Sequence, residues 1–176
     1  HVETNPSTKT VVRKLWAMGC GLKENIVIHS NRRTAYFGND ANPGTITLPF
    51  KNIQKLNSVM NAGDIAYIRG GTYKSTFNSA SPYHLLFQNL IGTAGSNIVI
   101  QNYPNETVIM DFNSVGVPTT CYTYGVLIES CEYLTLKGIT FKNLRQVSDG
   151  CGVSRGMSLT NSDNCRMENL DIYNMG

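Results

Sequence analysis

A short basic segment carries the side chains best suited to binding chemistry. Within residues 142–155 lie Lys142, Arg145, Asp149 and Arg155. Arginine presents a planar fork of donors that matches a carboxylate, and lysine adds a point charge. We predict that these four residues form a substrate-binding site for carboxylate-bearing ligands. The alternative is an exposed loop in which either arginine pairs with Asp149, and such a pair adds little stability.

The other reactive side chains form no recognisable catalytic set. Acidic residues are scattered, and no spacing forces the convergence that a calcium site or a pair of catalytic carboxylates requires. His29 and His84 have no partners at triad spacing, so we interpret both as structural. We therefore assign no catalytic residue and no metal ligand. Four tyrosines could stack on sugar rings if they are exposed: Tyr73, Tyr122, Tyr124 and Tyr173.

The cysteines indicate neither a zinc site nor a disulfide framework. There are five of them, an odd number, and no CxxC pair occurs. One disulfide between Cys121 and Cys151 is compatible with the sequence but is not required by it. Cys165 falls on a predicted inward face, where a buried free thiol is common.

An internal repeat positions the basic segment. Residues 125–144 and 156–175 agree in apolar and polar pattern, position by position, over their whole length. The apolar positions alternate with polar ones, which is typical of strands with one buried face. No unit can bury that face alone, whereas stacked units can, so the pattern predicts a parallel β-solenoid. Equivalent asparagines such as Asn143 and Asn174 could then form a ladder. An antiparallel sandwich is the alternative, but it leaves the fixed spacing of the two segments unexplained.

A looser coil and a cap precede the matched pair. Strands around residues 85–87, 98–100 and 108–110 fit the same template, as counterparts of residues 126–128, 134–136 and 139–141 in the next coil. Before them, residues 49–62 carry apolar side chains at helical spacing, with Pro49 suited to a first turn and Gly63 to a C-terminal cap. We predict a short capping helix there, which covers the end of the solenoid.

Composition and charge exclude several classes of protein. Charged residues make up only 15% of the chain, and 19 Asn, 16 Thr and 16 Gly favour turns and short strands over a helical bundle. Residues 1–35 hold six basic and two acidic residues, so the remaining chain carries −1 of the total charge of +3. We interpret residues 1–35 as a basic leader of unclear structure, solvated or touching an acidic partner, and expect no nucleic-acid partner. No apolar run is long enough to span a membrane.

Several motifs in order resemble a known group of proteins. They are GNDANPGTITLPFKNIQ (38–54), AGDIAYIRGGTYKS (62–75), GTAGSNIVIQNYPNETVIMDF (92–112) and the repeated coil pair. Together they resemble the N-terminal part of secreted right-handed parallel β-helix proteins that act on polysaccharides. They look most like the family 9 polysaccharide lyases, the pectate lyases, and the family 6 alginate and chondroitin lyases share much of this opening. The resemblance covers about residues 36–176.

The resemblance implies an all-β, right-handed parallel β-helix with a short N-terminal capping helix. It also implies a secreted or cell-surface, monomeric protein whose complete form cleaves acidic, pectin-like polysaccharide by β-elimination. In that chemistry a base removes the proton beside a uronate carboxylate, and calcium or another cation neutralises the developing charge. No residue here matches the family's catalytic base or calcium cluster. We therefore expect calcium only in the complete protein, and we expect this chain alone to be inactive.

Two other functions are compatible with the same sequence pattern. A non-catalytic carbohydrate-binding or adhesion solenoid is one alternative, and a glycoside hydrolase on the same fold is the other, because a fold does not fix a function. The last coil ends without a C-terminal cap after Met175. We therefore expect a truncated solenoid, or another element that covers its apolar edges.

Overall fold

The computed structural model describes residues 14–17, 27–28, 35–36, 38–75, 81–113, 122–145 and 153–175. Within these ranges the chain forms short strands and one 3-10 helix, Ile53–Ser58. The strands are β1 (Lys14–Ala17), β2 (Val27–Ile28), β3 (Ala35–Tyr36), β4 (Ile65–Ile68), β5 (Gly71–Lys74), β6 (Tyr83–Gln88), β7 (Ile98–Asn102), β8 (Val108–Asp111), β9 (Tyr122–Glu129), β10 (Leu134–Lys137), β11 (Ile139–Leu144), β12 (Val153–Thr160), β13 (Arg166–Glu168) and β14 (Asp171–Met175).

Three parallel sheets form the walls of a β-helix. Sheet 1 has the order β1-β4-β7-β10-β13, sheet 2 the order β14-β11-β8-β5, and sheet 3 the order β12-β9-β6. Each coil visits the three sheets in turn, so a strand pairs with its counterpart one coil away. Strands β2 and β3 form a separate antiparallel pair. The parallel pairing confirms the solenoid and excludes the antiparallel sandwich.

The strand register confirms the repeat. Thr135 pairs with Arg166, Thr140 with Asp171, and Tyr122 with Val153, which is the spacing of the two matched segments in all three sheets. The looser coil also pairs as predicted, because Leu85 lies opposite Val126, Ile98 opposite Leu134 and Val108 opposite Ile139.

Apolar side chains of all three sheets fill the interior in layers. The alternating residues predicted to face inward are buried up to the last coil, and they form one continuous core. Its innermost members include Phe87, Ile98, Ile100, Ile128, Leu134, Leu136 and Phe141. Because each layer lies about 4.8 Å above the last, every coil buries the apolar face of its neighbour.

Tight turns between strands use residues in the left-handed backbone region. Asn89, Ser130 and Asn161 take this conformation at equivalent positions of three coils, between sheets 3 and 1. Gly138 and Asn169 do so between sheets 1 and 2. Asparagine and glycine adopt positive φ at the lowest cost, which explains the high content of both residues.

The capping element differs from the predicted helix over residues 49–62. It is a 3-10 helix of six residues, Ile53–Ser58, with Asn52 and Val59 at its ends rather than Pro49 and Gly63. Ile53 and Leu56 are fully buried, so it does cover the core. Its Asn57 side chain donates to the Leu86 carbonyl (2.9 Å) and accepts from the Gln88 amide (3.2 Å), which satisfies the outer edge of β6.

The turn that precedes the cap is organised by one carboxylate. Asp40 accepts from the Lys51 and Asn52 amides, at 3.1 and 2.8 Å, and from the Asn52 side chain. The Phe50 ring lies against Gly44, where an added Cβ would approach the ring to 2.5 Å. The GND-NPGT motif therefore builds a loop that anchors the start of the 3-10 helix.

The last coil exposes apolar side chains, as the sequence indicates. Leu159 and Ile172 are 47% and 45% exposed, whereas their counterparts Ile128 and Phe141 are fully buried.

Among the described residues, no helix is long and apolar enough to cross a membrane. Asp149, Cys121, Cys151, His29 and most of residues 1–35 lie outside the described residues.

Candidate functional site

The structure places the backbones of two of the predicted binding residues close to each other, at the corner between sheets 2 and 3. Arg145 directly follows β11, and its carbonyl accepts a hydrogen bond from the Ser154 hydroxyl (3.4 Å) in β12. Arg155 is the next residue. We name Tyr124, Arg145, Ser154 and Arg155 the arginine corner. Both arginines are exposed, and within the described ranges neither forms an ion pair.

A tyrosine of the preceding coil positions Arg155. Arg155 pairs in register with Tyr124 of β9, and its guanidinium carbon lies 5.9 Å from the centre of the Tyr124 ring. This cation–π contact is worth about 0.5–1 kcal/mol at an exposed site. It orients the guanidinium and leaves its donors available for a ligand's carboxylate.

Two glycines allow the strands at this corner to approach closely. Gly125 follows Tyr124, and Gly156 follows Arg155. A Cβ on Gly125 would lie 2.6 Å from the Gly156 carbonyl oxygen and 2.8 Å from the Phe112 ring. The backbone beneath the Arg155–Tyr124 pair is therefore tightly packed, which fixes the spacing of the two strands that carry it.

Lys142 precedes the arginine corner on the same stretch of chain. It lies on the outer face of β11, three residues before Arg145, which is at most about 10 Å of extended chain. Its register partners are Asp111 in the preceding coil and Tyr173 in the next. Asp149, the fourth predicted member, lies outside the described residues. Among the described residues, no hydrogen bond joins Lys142 to either arginine, and its register partners lie in sheet 2.

An asparagine ladder runs beside Lys142. The Asn174 amide donates to the Asn143 side-chain oxygen (3.2 Å), as predicted, and the Asn143 amide donates to the buried Asp111 carboxylate (2.9 Å). The Asn113 backbone amide also donates to Asp111 (3.0 Å). Sequence reasoning missed Asp111 because it is the register counterpart of Lys142, not of Asn143, and is not an asparagine.

Burial distinguishes the tyrosines and cysteines that the sequence analysis considered. Tyr73 cannot stack on a sugar, because it is 2% exposed and its hydroxyl donates to the Arg69 carbonyl (2.6 Å). Tyr173 is 46% exposed and remains available, whereas the Tyr122 side chain lies outside the described part of the chain. Free thiols at Cys131 and Cys165 are poor nucleophiles, because burial raises the pKa of each.

His84 is a buried neutral side chain. Burial lowers its pKa from 6.5 to about 4. Its Nδ1 is hydrogen-bonded to the Ser75 hydroxyl, and its ring lies 5.1 Å from that of Phe112, which stacks on Phe141 at 6.1 Å. The surroundings are those of a core residue, in keeping with the structural interpretation.

The described residues do not fit a calcium site. No group of three or more histidine, cysteine or acidic side chains converges among them. The carboxylates of Asp40 and Asp111 already accept hydrogen bonds from amides. Calcium needs six to eight oxygen ligands, so no reaction step is assigned to it here.

Comparison with known proteins identifies the family. A family model described as "Pel9A-like, right handed beta helix region" matches residues 33–176. The chain belongs to this Pel9A-like β-helix family. It is 36% identical to pectate lyase PEL9 of Emericella nidulans over 74 residues. These aligned residues make up 42% of this chain and 16% of that protein. It is 29% identical over 112 residues to the uncharacterized protein YwoF of Bacillus subtilis, 64% of this chain and 22% of that protein.

Solved structures show the same fold. A rhamnogalacturonan lyase superimposes with a TM-score of 0.67 at 23% identity, over 92% of this chain and 36% of that one. The GH136 lacto-N-biosidase of Eubacterium ramulus superimposes with a TM-score of 0.60 at 19% identity, over 93% of this chain and 27% of that one. The Pel9A-like chain therefore spans a minor part of each of these relatives, and at these identities the structures establish the fold alone.

Proposed function

We propose that this chain is the N-terminal part of an extracellular polysaccharide lyase that cleaves acidic, pectin-like polysaccharide by β-elimination, and that its arginine corner binds uronate carboxylates. One observation carries the binding role: Arg155 is exposed, oriented by Tyr124 at 5.9 Å and unpaired by any described carboxylate. Membership of a β-helix family, together with the similarity to a pectate lyase, supports the reaction class.

The arginine corner suits a carboxylate better than a neutral sugar. A guanidinium can donate two parallel hydrogen bonds to the two oxygens of one carboxylate, which adds geometry to charge. Arg145 follows β11 and Arg155 lies in β12, where its neighbour Ser154 bonds the Arg145 carbonyl, so a polymer with a charge on each residue can meet both. We propose that this corner positions the substrate and takes no part in the bond cleavage, because the donors and the charge of the arginines are sufficient to hold a carboxylate.

Arg155 can be tested by equilibrium titration with polygalacturonate. Arg155→Ala should weaken binding about tenfold, the value of one charge-assisted hydrogen bond. Arg155→Lys keeps the charge but loses the fork, so it should recover only part of the affinity. An Arg155→Ala chain that is folded and binds as tightly as the unsubstituted chain would remove the arginine corner from the proposal.

The reaction class requires an assay of the complete protein. With polygalacturonate as substrate, elimination gives unsaturated uronate ends that absorb in the ultraviolet, whereas hydrolysis gives new reducing ends without that absorbance. We expect the unsaturated product, and we expect it to be lost when a chelator removes calcium. Reducing ends alone would indicate a glycoside hydrolase, and binding without turnover would indicate a carbohydrate-binding or adhesion solenoid. We expect the 176-residue chain alone to bind without turnover.

A further inference from the structure

The outer face of sheet 2 pairs a cation with an exposed aromatic ring across two coils. Lys142 of β11 and Tyr173 of β14 are register partners, so their backbones lie about 4.8 Å apart. Phe141, which directly precedes Lys142, is fully buried in the core. Because successive strand residues face opposite sides, Lys142 lies on the outer face of the sheet. Tyr173 is 46% exposed. The two side chains therefore leave the same face side by side.

We infer that Lys142 and Tyr173 form a second contact point for the acidic polysaccharide, in which one uronate residue places its carboxylate on the lysine and its ring on the tyrosine. The inference rests on the proposed function, because the ligand is the same polymer. It goes further by extending the binding surface from the arginine corner to the outer face of sheet 2.

Charge on this face favours a carboxylate at Lys142. No described carboxylate lies within ion-pair distance of its ammonium group. The neighbouring Asp111 carboxylate is buried and accepts hydrogen bonds from Asn143 and Asn113. Asp171, exposed two residues before Tyr173, repels an anion, so the ligand's carboxylate is directed towards Lys142 and a sugar hydroxyl towards Asp171.

The backbone beneath the pair is fixed before any ligand binds. Asn143 and Asn174, which directly follow Lys142 and Tyr173, have positive φ values of 62° and 55° and are joined by their side-chain hydrogen bond. The same ladder continues to Asp111. Two contact residues on a ladder of this kind lose little backbone freedom on binding, which favours a preorganised site.

The test is titration of the chain with polygalacturonate and with the same polymer after reduction of its carboxylates. Lys142→Met should weaken binding to polygalacturonate about fivefold, in the range of an exposed ion pair, and should leave binding of the reduced polymer unchanged. Tyr173→Ala should weaken binding to both polymers about fivefold, whereas Tyr173→Phe, which keeps the ring, should bind within about twofold of the unsubstituted chain. Lys74→Met is the matched control, because Lys74 occupies the same column of sheet 2 two coils earlier. Its described register partner is Asp111, which also neighbours Lys142, and not a tyrosine.

The outcomes separate this inference from the proposed function. If Lys142→Met and Tyr173→Ala, both folded by circular dichroism, bind polygalacturonate like the unsubstituted chain, the second contact point is refuted. A loss confined to Arg155→Ala would then leave the arginine corner standing. If the unsubstituted chain does not distinguish the two polymers, both proposals fail. If Lys74→Met and Lys142→Met lose the same affinity for polygalacturonate, the effect comes from the change in net charge alone. That result would also overturn the inference.

Discussion

Acid should destabilise this fold through His84. The side chain is buried against Phe112, and its pKa is lowered from 6.5 to about 4 because burial penalises the imidazolium. The unfolded chain therefore binds a proton at a higher pH than the folded chain does. The stability that the neutral His84 contributes is complete above about pH 6.5 and is lost as the pH falls towards 4.

The magnitude follows from the difference in pKa. One pKa unit corresponds to about 1.4 kcal/mol, so the free energy of unfolding should fall by about 2 kcal/mol at pH 5 and about 3 kcal/mol at pH 4 through this group alone. Such a loss is a large fraction of the stability of a typical domain. This loss of unfolding free energy is absent when His84 is replaced, whereas the titration of carboxylates affects every variant alike.

Urea unfolding between pH 4 and pH 8 measures the effect, with His84→Gln as the control that cannot titrate. The unsubstituted chain should lose about 3 kcal/mol relative to His84→Gln between pH 7 and pH 4. Parallel curves for the two chains would show that His84 is protonated in the folded state without cost, and would refute the assignment of a buried neutral histidine.

Three further substitutions test how the coils are held, each measured as a change in the free energy of unfolding. Asn57→Ala removes both hydrogen bonds to the outer edge of β6 and should cost about 1–3 kcal/mol. Gly125→Ala places a Cβ 2.6 Å from the Gly156 carbonyl and should cost about 1–3 kcal/mol through overpacking. Glu106→Gln breaks the pair in which Arg69, 8% exposed, donates to both carboxylate oxygens at 2.6 and 2.9 Å, and should cost about 3 kcal/mol.

Matched controls lie on the same surfaces. Ser58→Ala beside Asn57 removes an exposed hydroxyl bond and should change stability by less than about 0.5 kcal/mol. Lys137→Met breaks an exposed pair with Glu168 at 3.6 Å and should cost less than about 1 kcal/mol. Controls as damaging as Asn57→Ala and Glu106→Gln would mean that burial is not what makes those contacts strong.

The strand stack could be predicted because its period is visible in the sequence. Each inward position must be apolar in every coil, so residues such as Leu85, Ile98 and Val108 reveal which strands lie opposite one another. Strand β1 carries no such signal. It is a four-residue strand in the basic leader with no repeated partner, and only its pairing with β4 places it in sheet 1.

The capping helix and the binding residues show where a linear pattern fails. Ile53 and Leu56 are three positions apart, which suits a 3-10 helix as well as an α-helix. Asp40, far back in the preceding turn, binds the amides of Lys51 and Asn52 and so sets where the helix begins. Likewise, closeness in sequence grouped Lys142 with the arginines, whereas the strand direction places it beside Tyr173 in the next coil.

The proposed function depends most on recognition of an acidic polysaccharide through its carboxylates at the arginine corner. The most direct measurement is a calorimetric titration of the chain with polygalacturonate and with its carboxyl-reduced form, repeated with Arg155→Ala. We predict tighter binding of polygalacturonate, and a loss of about tenfold in Arg155→Ala that is absent for the reduced polymer. Equal binding of the two polymers by the unsubstituted chain would contradict the claim.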